Sequence, residues 1–237
     1  MLAHGTGWAT ATRSVVDAAA PTPVVAFGAR HVHPNVADRL DHAAIIGGAA
    51  GASTTAGSQR NSLAPVGTMP HALMLIYGDT VEAALAYDRS AEPEAPRIVL
   101  VDTFRDEAEE SARVAAALGE RLSGVRLDRA SELGGVTPEL VREVREALDA
   151  AGARQAKIII SGGLTLERIA AFKAAGSPVD TFAVGSSISG SRPIDFTADI
   201  HAIDGQPVGK RGRGVGETLA PRLRQVDLAA WRAATNR

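Results

Sequence analysis

The sequence predicts an α/β fold built on a parallel sheet or β/α barrel, and three observations carry that prediction. Five short apolar runs, 23–27 (PVVAF), 97–102 (RIVLVD), 124–128 (GVRLD), 157–161 (KIIIS) and 180–184 (DTFAV), lack the alternation of a half-exposed strand. Such runs suit parallel strands covered on both faces. Helical patterns fill the gaps, and strand–helix–strand steps of about 25–35 residues mark βαβ units. Specific polar groups and glycines then gather at the C-terminal ends of the runs: Asp102, Asp128, Ser161–Gly162–Gly163 and Gly185–Ser186. That is the end where parallel sheets and barrels place their chemistry.

Each helix has its own signals. Residues 1–20 read as an N-terminal helix ahead of the first strand. The stretch 106–119 opens acidic and continues rich in alanine. Thr137–Pro138–Glu139 supplies an N-cap, a proline at the first helical position and an early acid. Leu140, Val141, Val144 and Leu148 then fall on one face. A third helix follows Gly163, is capped by Thr165 and stops at Gly176. The organisation expected is a helix over 1–20, an α/β barrel over 21–204, and a basic loop with a tail over 205–237.

Composition narrows the classes. The 237 residues (24.5 kDa) suffice for one large domain, which at this size buries about 70–75% of its unfolded surface without a staple. Apolar residues make 45% of the chain and charged residues 22%, which excludes disorder as the main state. No apolar run approaches the roughly 20 residues of a membrane span. The absence of cysteine excludes a disulfide scaffold, a thiol nucleophile and a thiolate zinc site, and it fits a cytoplasmic protein. Net charge is −2, so nothing drives the chain toward nucleic acid.

Candidate chemistry sits at the strand ends. Ser161–Gly162–Gly163 and Val184–Gly185–Ser186–Ser187 each lead from a strand into a helix. Glycine lets a backbone approach a ligand, and two adjacent loops of this kind late in a barrel suit a phosphate grip. The plainer alternative is that they only make tight turns. Asp102 and Asp128 end neighbouring strands; they suit Mg²⁺ beside substrate phosphates, or charge stabilisation at a sugar carbon. Helix capping and, for Asp128, a salt bridge to Arg126 are the alternatives. His71 in Gly67–Thr68–Met69–Pro70–His71 falls in the first turn of a helix, where it can shuttle protons or act as a nucleophile, though a lone histidine is more often a surface residue. Arg30–His31–Val32–His33 suits an anion site at Arg30 better than a metal. Gly209–Lys210–Arg211–Gly212–Arg213 reads as a solvated basic loop.

Taken in order, FGARHVHP (27–34), IIGG (45–48), GTMPHAL (67–73), LVDTF (100–104), GVRLD (124–128), ISGGL (160–164), VGSSIS (184–189), DFTADI (195–200) and GKRGR (209–213) resemble the nicotinate phosphoribosyltransferase family. The likeness is to its short bacterial branch, related to quinolinate phosphoribosyltransferase. The resemblance implies an irregular or incomplete β/α barrel of the type II phosphoribosyltransferase kind. It implies joining nicotinate to phosphoribosyl pyrophosphate, with release of pyrophosphate, ATP hydrolysis and Mg²⁺, in a homodimer. By the same resemblance His71 is phosphorylated by ATP, and Asp102 and Arg126 stand at the reacting centre. Asp128 serves ribose or metal. Arg30, Thr68, Ser161, Gly162, Gly163, Gly185 and Ser186 hold substrate and phosphate.

Two departures set further expectations. The family places a domain of about a hundred residues ahead of the barrel, and this sequence opens at MLAHGTGWAT, like the helix before it. The expectation is weak or no activity for this chain alone and an uncovered apolar patch. The loop after RLD reads Arg129–Ala130–Ser131–Glu132–Leu133–Gly134–Gly135, atypical at Arg129 and Leu133, which sets its phosphate contacts apart. The competing functions are quinolinate phosphoribosyltransferase, a non-catalytic remnant that binds phosphorylated ligands, and a phosphate-binding barrel of another family.

Overall fold

The computed structural model describes residues 1–216. The chain divides into two compact units, Met1–Ile194 and a second beginning at Asp195, a boundary ahead of the one expected at residue 204. The first unit runs α1 (Leu2–Ala19), β1 (Val24–Ala26), α2 (Pro34–Ile46), β2 (Gly51–Ala52), α3 (Thr55–Gln59), α4 (His71–Tyr77), α5 (Thr80–Ser90), β3 (Arg97–Leu100), α6 (Glu107–Leu118), β4 (Leu122–Leu127), α7 (Pro138–Ala150), β5 (Lys157–Ile160), α8 (Leu166–Ala174), β6 (Thr181–Val184) and α9 (Ser186–Ser189). The second holds an antiparallel pair, β7 (Ala202–Ile203) and β8 (Gln206–Pro207), with the basic loop 209–213 after it. The part of the expected tail from residue 217 lies outside the described residues.

The six strands of the first unit are all parallel, in the order β2-β1-β6-β5-β4-β3. From β3 the order is sequential to β6; β1 then lies against β6 and carries β2. This is a barrel's neighbour order with one pairing, β2 to β3, left unmade. The result is the curled, incomplete barrel that the sequence predicts.

All five apolar runs are strands, and their burial is nearly unbroken. β1 is buried throughout, and β5 and β6 are buried at every position after the first. Leu127, Ile158, Ile160, Phe182 and Val184 form the centre of the core. α1 packs on α2, α8 and β1. It lies against β1 and beside α9, which at four residues is too short to cover the sheet itself. Trp8 of α1 is buried beneath the turn after β1, where a Cβ on Gly28 would lie 2.9 Å from its ring.

The capping signals hold. Thr137 Oγ1 accepts from Leu140 N–H at 3.2 Å, Thr165 Oγ1 from Arg168 N–H at 3.3 Å, and Asp106 from Ala108 N–H at 3.0 Å. Each satisfies an N–H group that the helix itself leaves free. α4 exposes Leu75, Ile76 and Tyr77, with Ile76 80% exposed.

Candidate active site

A cavity of about 430 Å³ opens at the C-terminal ends of the strands. Of the residues expected to act, Arg30, Thr68, His71, Arg126, Asp128, Ser161, Gly162, Gly163, Gly185 and Ser186 line it; Asp102 does not. The sheet brings these groups together because every loop that follows a strand opens on the same end.

Arg126 is the hub. It and Asp128 are two residues apart, which puts both side chains on one face of β4. Asp128 Oδ2 accepts from Arg126 Nη2 at 2.6 Å. Ser161, at the end of the paired strand β5, accepts from Arg126 Nε at 2.9 Å. Its hydroxyl lies 2.9 Å from Asp128 Oδ1 and 3.1 Å from the Leu127 carbonyl. Thr68 Oγ1 accepts from Arg126 Nη1 at 2.8 Å. The guanidinium also stacks 5.3 Å above the Phe27 ring centroid, a favourable arrangement for a cation. Thr68 belongs to the segment that borders the sheet's open edge, tied to β2 by Val66 N–H donating to Ala52 O at 3.0 Å.

His71 starts α4 directly after Pro70, as the sequence predicts. Its Nε2 lies 3.2 Å from Asp102 Oδ2, and the Asp102 side chain is only 4% exposed. Burial pushes the Asp102 carboxyl above its ordinary range, and the hydrogen bond with His71 pulls it partly back. Its other oxygen, Oδ1, is buried without a partner.

The glycine loops come close to their neighbours. Gly162 and Gly163 take φ of +84° and +58°, where a side chain is strained, and a Cβ on Gly162 would lie 3.0 Å from Asp128 Oδ1. A Cβ on Gly185 would lie 3.1 Å from the Phe27 carbonyl. Arg30 reaches the cavity while its Nε donates to His31 Nε2 at 3.1 Å, and His31 Nδ1 lies 2.5 Å from Ser189 Oγ. His33 instead caps α2, its Nδ1 accepting from Asn35 N–H at 3.2 Å, so the two histidines do not converge as a metal pair.

The two expected Mg²⁺ carboxylates do not fit a metal held by the protein alone. Asp128 is engaged by Arg126 and Ser161, and Asp102 is buried behind His71. Among the described residues no group of three or more His, Asp or Glu could hold an ion. Arg129, atypical in sequence, turns from the cavity to Glu107 and to Asp106 at 3.5 Å.

Sequence reasoning missed Phe27, Ser53 and Met69 as cavity residues. Phe27 was legible as the last residue of the first apolar run. Met69 stood within the motif GTMPHAL without being singled out, and Ser53 carried no signal, because it follows β2, which has only two small residues. Asp41 was missed too. It is buried on α2, and it fixes the loop after β2 by accepting from Thr54 N–H at 2.8 Å.

Comparison with known proteins gives the family and the fold. The model of the quinolinate phosphoribosyl transferase C-terminal domain matches residues 8–199. A nicotinate phosphoribosyltransferase of Mycobacterium tuberculosis is 35% identical over 217 residues, 88% of this chain and 47% of that protein. A nicotinate phosphoribosyltransferase of Bacillus subtilis is 33% identical over 168 residues, 68% of this chain and 33% of that protein. The crystal structure of nicotinate-nucleotide pyrophosphorylase from Pyrococcus furiosus superposes with a TM-score of 0.80 at 42% identity, covering 90% of this chain and 54% of that one. The chain thus spans about half the length of the relative from Mycobacterium and of the Pyrococcus structure. The incomplete barrel is of the type II phosphoribosyltransferase kind, and the chain belongs to the quinolinate phosphoribosyl transferase C-terminal domain family.

Proposed function

We propose that this chain carries a phosphoribosyl-transfer site for nicotinate, forming nicotinate mononucleotide and pyrophosphate in NAD biosynthesis. One observation supports it above others: two glycine loops, Arg30 and the Arg126–Asp128–Ser161 network converge on one cavity. In this reading the ring nitrogen of nicotinate attacks the anomeric carbon of phosphoribosyl pyrophosphate. The new C–N bond forms as the C–O bond to pyrophosphate breaks, and the electron pair leaves with pyrophosphate. Positive charge develops on the sugar, and the Asp128 carboxylate is placed to stabilise it. The Gly162–Gly163 and Gly185–Ser186 loops take the 5′-phosphate. Any Mg²⁺ would be held chiefly by the diphosphate, since Asp128 is engaged by Arg126 and Ser161 and Asp102 lies buried against His71.

His71 is the proposed phosphoryl acceptor from ATP. With Nε2 held toward Asp102, Nδ1 is the nitrogen left for attack. The homologues named nicotinate phosphoribosyltransferase support the substrate, and a cytoplasmic homodimer, expected from the sequence resemblance, is a further part of this proposal.

A second reading, quinolinate phosphoribosyltransferase, is favoured by the family model's own name. Against it stands the cavity's charge. Its lining cations are Arg30 and Arg126, and Asp128 already neutralises the latter. Quinolinate brings one carboxylate more than nicotinate. Titration calorimetry with nicotinate mononucleotide on the parent chain, Arg30→Ala and Arg126→Gln tests the reading. Saturable binding that both variants weaken at least about tenfold supports it. A folded parent that ignores this nucleotide overturns it.

A further inference from the structure

We infer that Arg168 is the positioning residue that sets the phosphate affinity of the Ser161–Gly162–Gly163 loop; the inference rests on the reading of that loop as a phosphate grip. Arg168 lies in the first turn of α8, behind the loop, and does not line the cavity. Its Nη1 donates to the carbonyls of Gly162 at 2.9 Å and Gly163 at 3.1 Å. Its Nη2 donates to the Val136 carbonyl at 2.8 Å, in the loop that follows β4. One guanidinium therefore ties together the loops of two neighbouring strands. Gly135 makes room for it, since a Cβ there would stand 3.0 Å from Nη2.

The consequence follows from peptide geometry. Each peptide unit carries its carbonyl and its N–H on opposite sides. Carbonyls drawn back onto Arg168 cannot turn their oxygens toward an incoming anion, and the N–H groups of the peptide units they belong to are set away from the guanidinium. The left-handed conformations of Gly162 and Gly163 permit this orientation, and Arg168 holds it. The cation also adds positive charge behind the loop. A lysine cannot reproduce it, because a single ammonium lacks the planar fork that spans three carbonyls.

The test compares the parent chain with Arg168→Lys and Arg168→Gln. Each is titrated with ribose 5-phosphate and, separately, with nicotinate, while amide resonances of Gly163 and Leu164, whose N–H groups share peptide units with the two held carbonyls, and thermal unfolding are recorded. The expected result is a loss of about tenfold or more in ribose 5-phosphate affinity, with nicotinate affinity unchanged and both amides shifted already in the free variants. Variants that bind ribose 5-phosphate like the parent overturn the inference. So do variants that lose both ligands together with a lowered Tm, which would make Arg168 a general brace. A parent that binds no ribose 5-phosphate overturns the loop's reading itself and the inference with it. The parent's titration thus tests the first claim and the variants test the second.

Discussion

The exposed imidazole of His71 meets a carboxylate, Asp102, that is almost wholly withdrawn from solvent, at 3.2 Å between Nε2 and Oδ2. The pair joins α4 to the end of β3, and it leaves Asp102 Oδ1 buried and unpartnered. An arrangement that costs stability and orients a titratable ring is what a functional site retains. It links the exposed helix face to the sheet's C-terminal end.

Asp102→Asn is expected to raise stability at neutral pH while impairing His71. The Asp102 pKa is raised by burial. Its favourable contribution is therefore present below the ordinary carboxylate value and lost as pH rises through the folded value. At pH 7 the ionised form is a net cost, and the neutral amide removes it. The gain is about 1 kcal/mol, or roughly 2–4 °C in Tm for a domain of this size. It should shrink as pH falls into the range where Asp102 is protonated. Thermal unfolding from pH 4 to 8 checks this, and a lower Tm at pH 7 would show that the bond to His71 outweighs the burial.

Asp79 should show the opposite pH dependence. It caps α5, with Oδ1 accepting from Val81 N–H at 2.8 Å and Glu82 N–H at 3.2 Å, and Arg113 Nη2 donates to Oδ2 at 2.7 Å. The Arg113 hydrogen bond holds its pKa below the ordinary range. Its contribution is then present above the ordinary carboxylate value and lost as pH falls through the depressed one. Asp79→Ala should cost about 1 kcal/mol near pH 7, and the difference should narrow in urea melts toward pH 3.

The layout of this site was legible to the extent that it rested on apolar runs and capping residues. The run KIIIS announced both β5 and the position of Ser161, and Thr137–Pro138 announced α7. β2 was not legible, because Gly51–Ala52 is two small residues in a small-residue stretch, and only pairing with β1 makes it a strand. The ion pair of Arg126 with Asp128 could be read from their spacing. The ties of Arg168 to Val136 and of Asp41 to Thr54 could not, since each engages a backbone group of a loop distant in sequence. Such contacts leave no periodicity in the chain.

Gly162→Ala tests how tightly the first glycine loop is set against Asp128. A left-handed alanine costs about 1–2 kcal/mol on backbone grounds alone. Gly152 offers the control, since it has nearly the same φ, +82° against +84°, but nothing within 4 Å of an added Cβ. Urea unfolding should show Gly162→Ala as the more destabilised variant, because its methyl meets Asp128 Oδ1 at 3.0 Å. Equal losses would mean that the Asp128 carboxylate gives way freely.

Asp128→Asn should shift the cavity's preference toward a second carboxylate. In the parent, Arg126 spends Nη2 on Asp128, Nη1 on Thr68 and Nε on Ser161. Removing the negative charge leaves a cation whose nearest acceptors are neutral. A carboxylate can then compete for it, and a hydrogen bond between charged groups is worth about 1.5–3 kcal/mol. Quinolinate affinity should therefore rise about tenfold relative to nicotinate, measured by calorimetric titration of each acid into parent and variant. The same substitution removes the anion proposed to stabilise the developing sugar cation, so turnover should fall even as binding of the diacid improves. An unchanged ratio of the two affinities would place the pyridine carboxylate away from Arg126 and make Arg30 its partner instead.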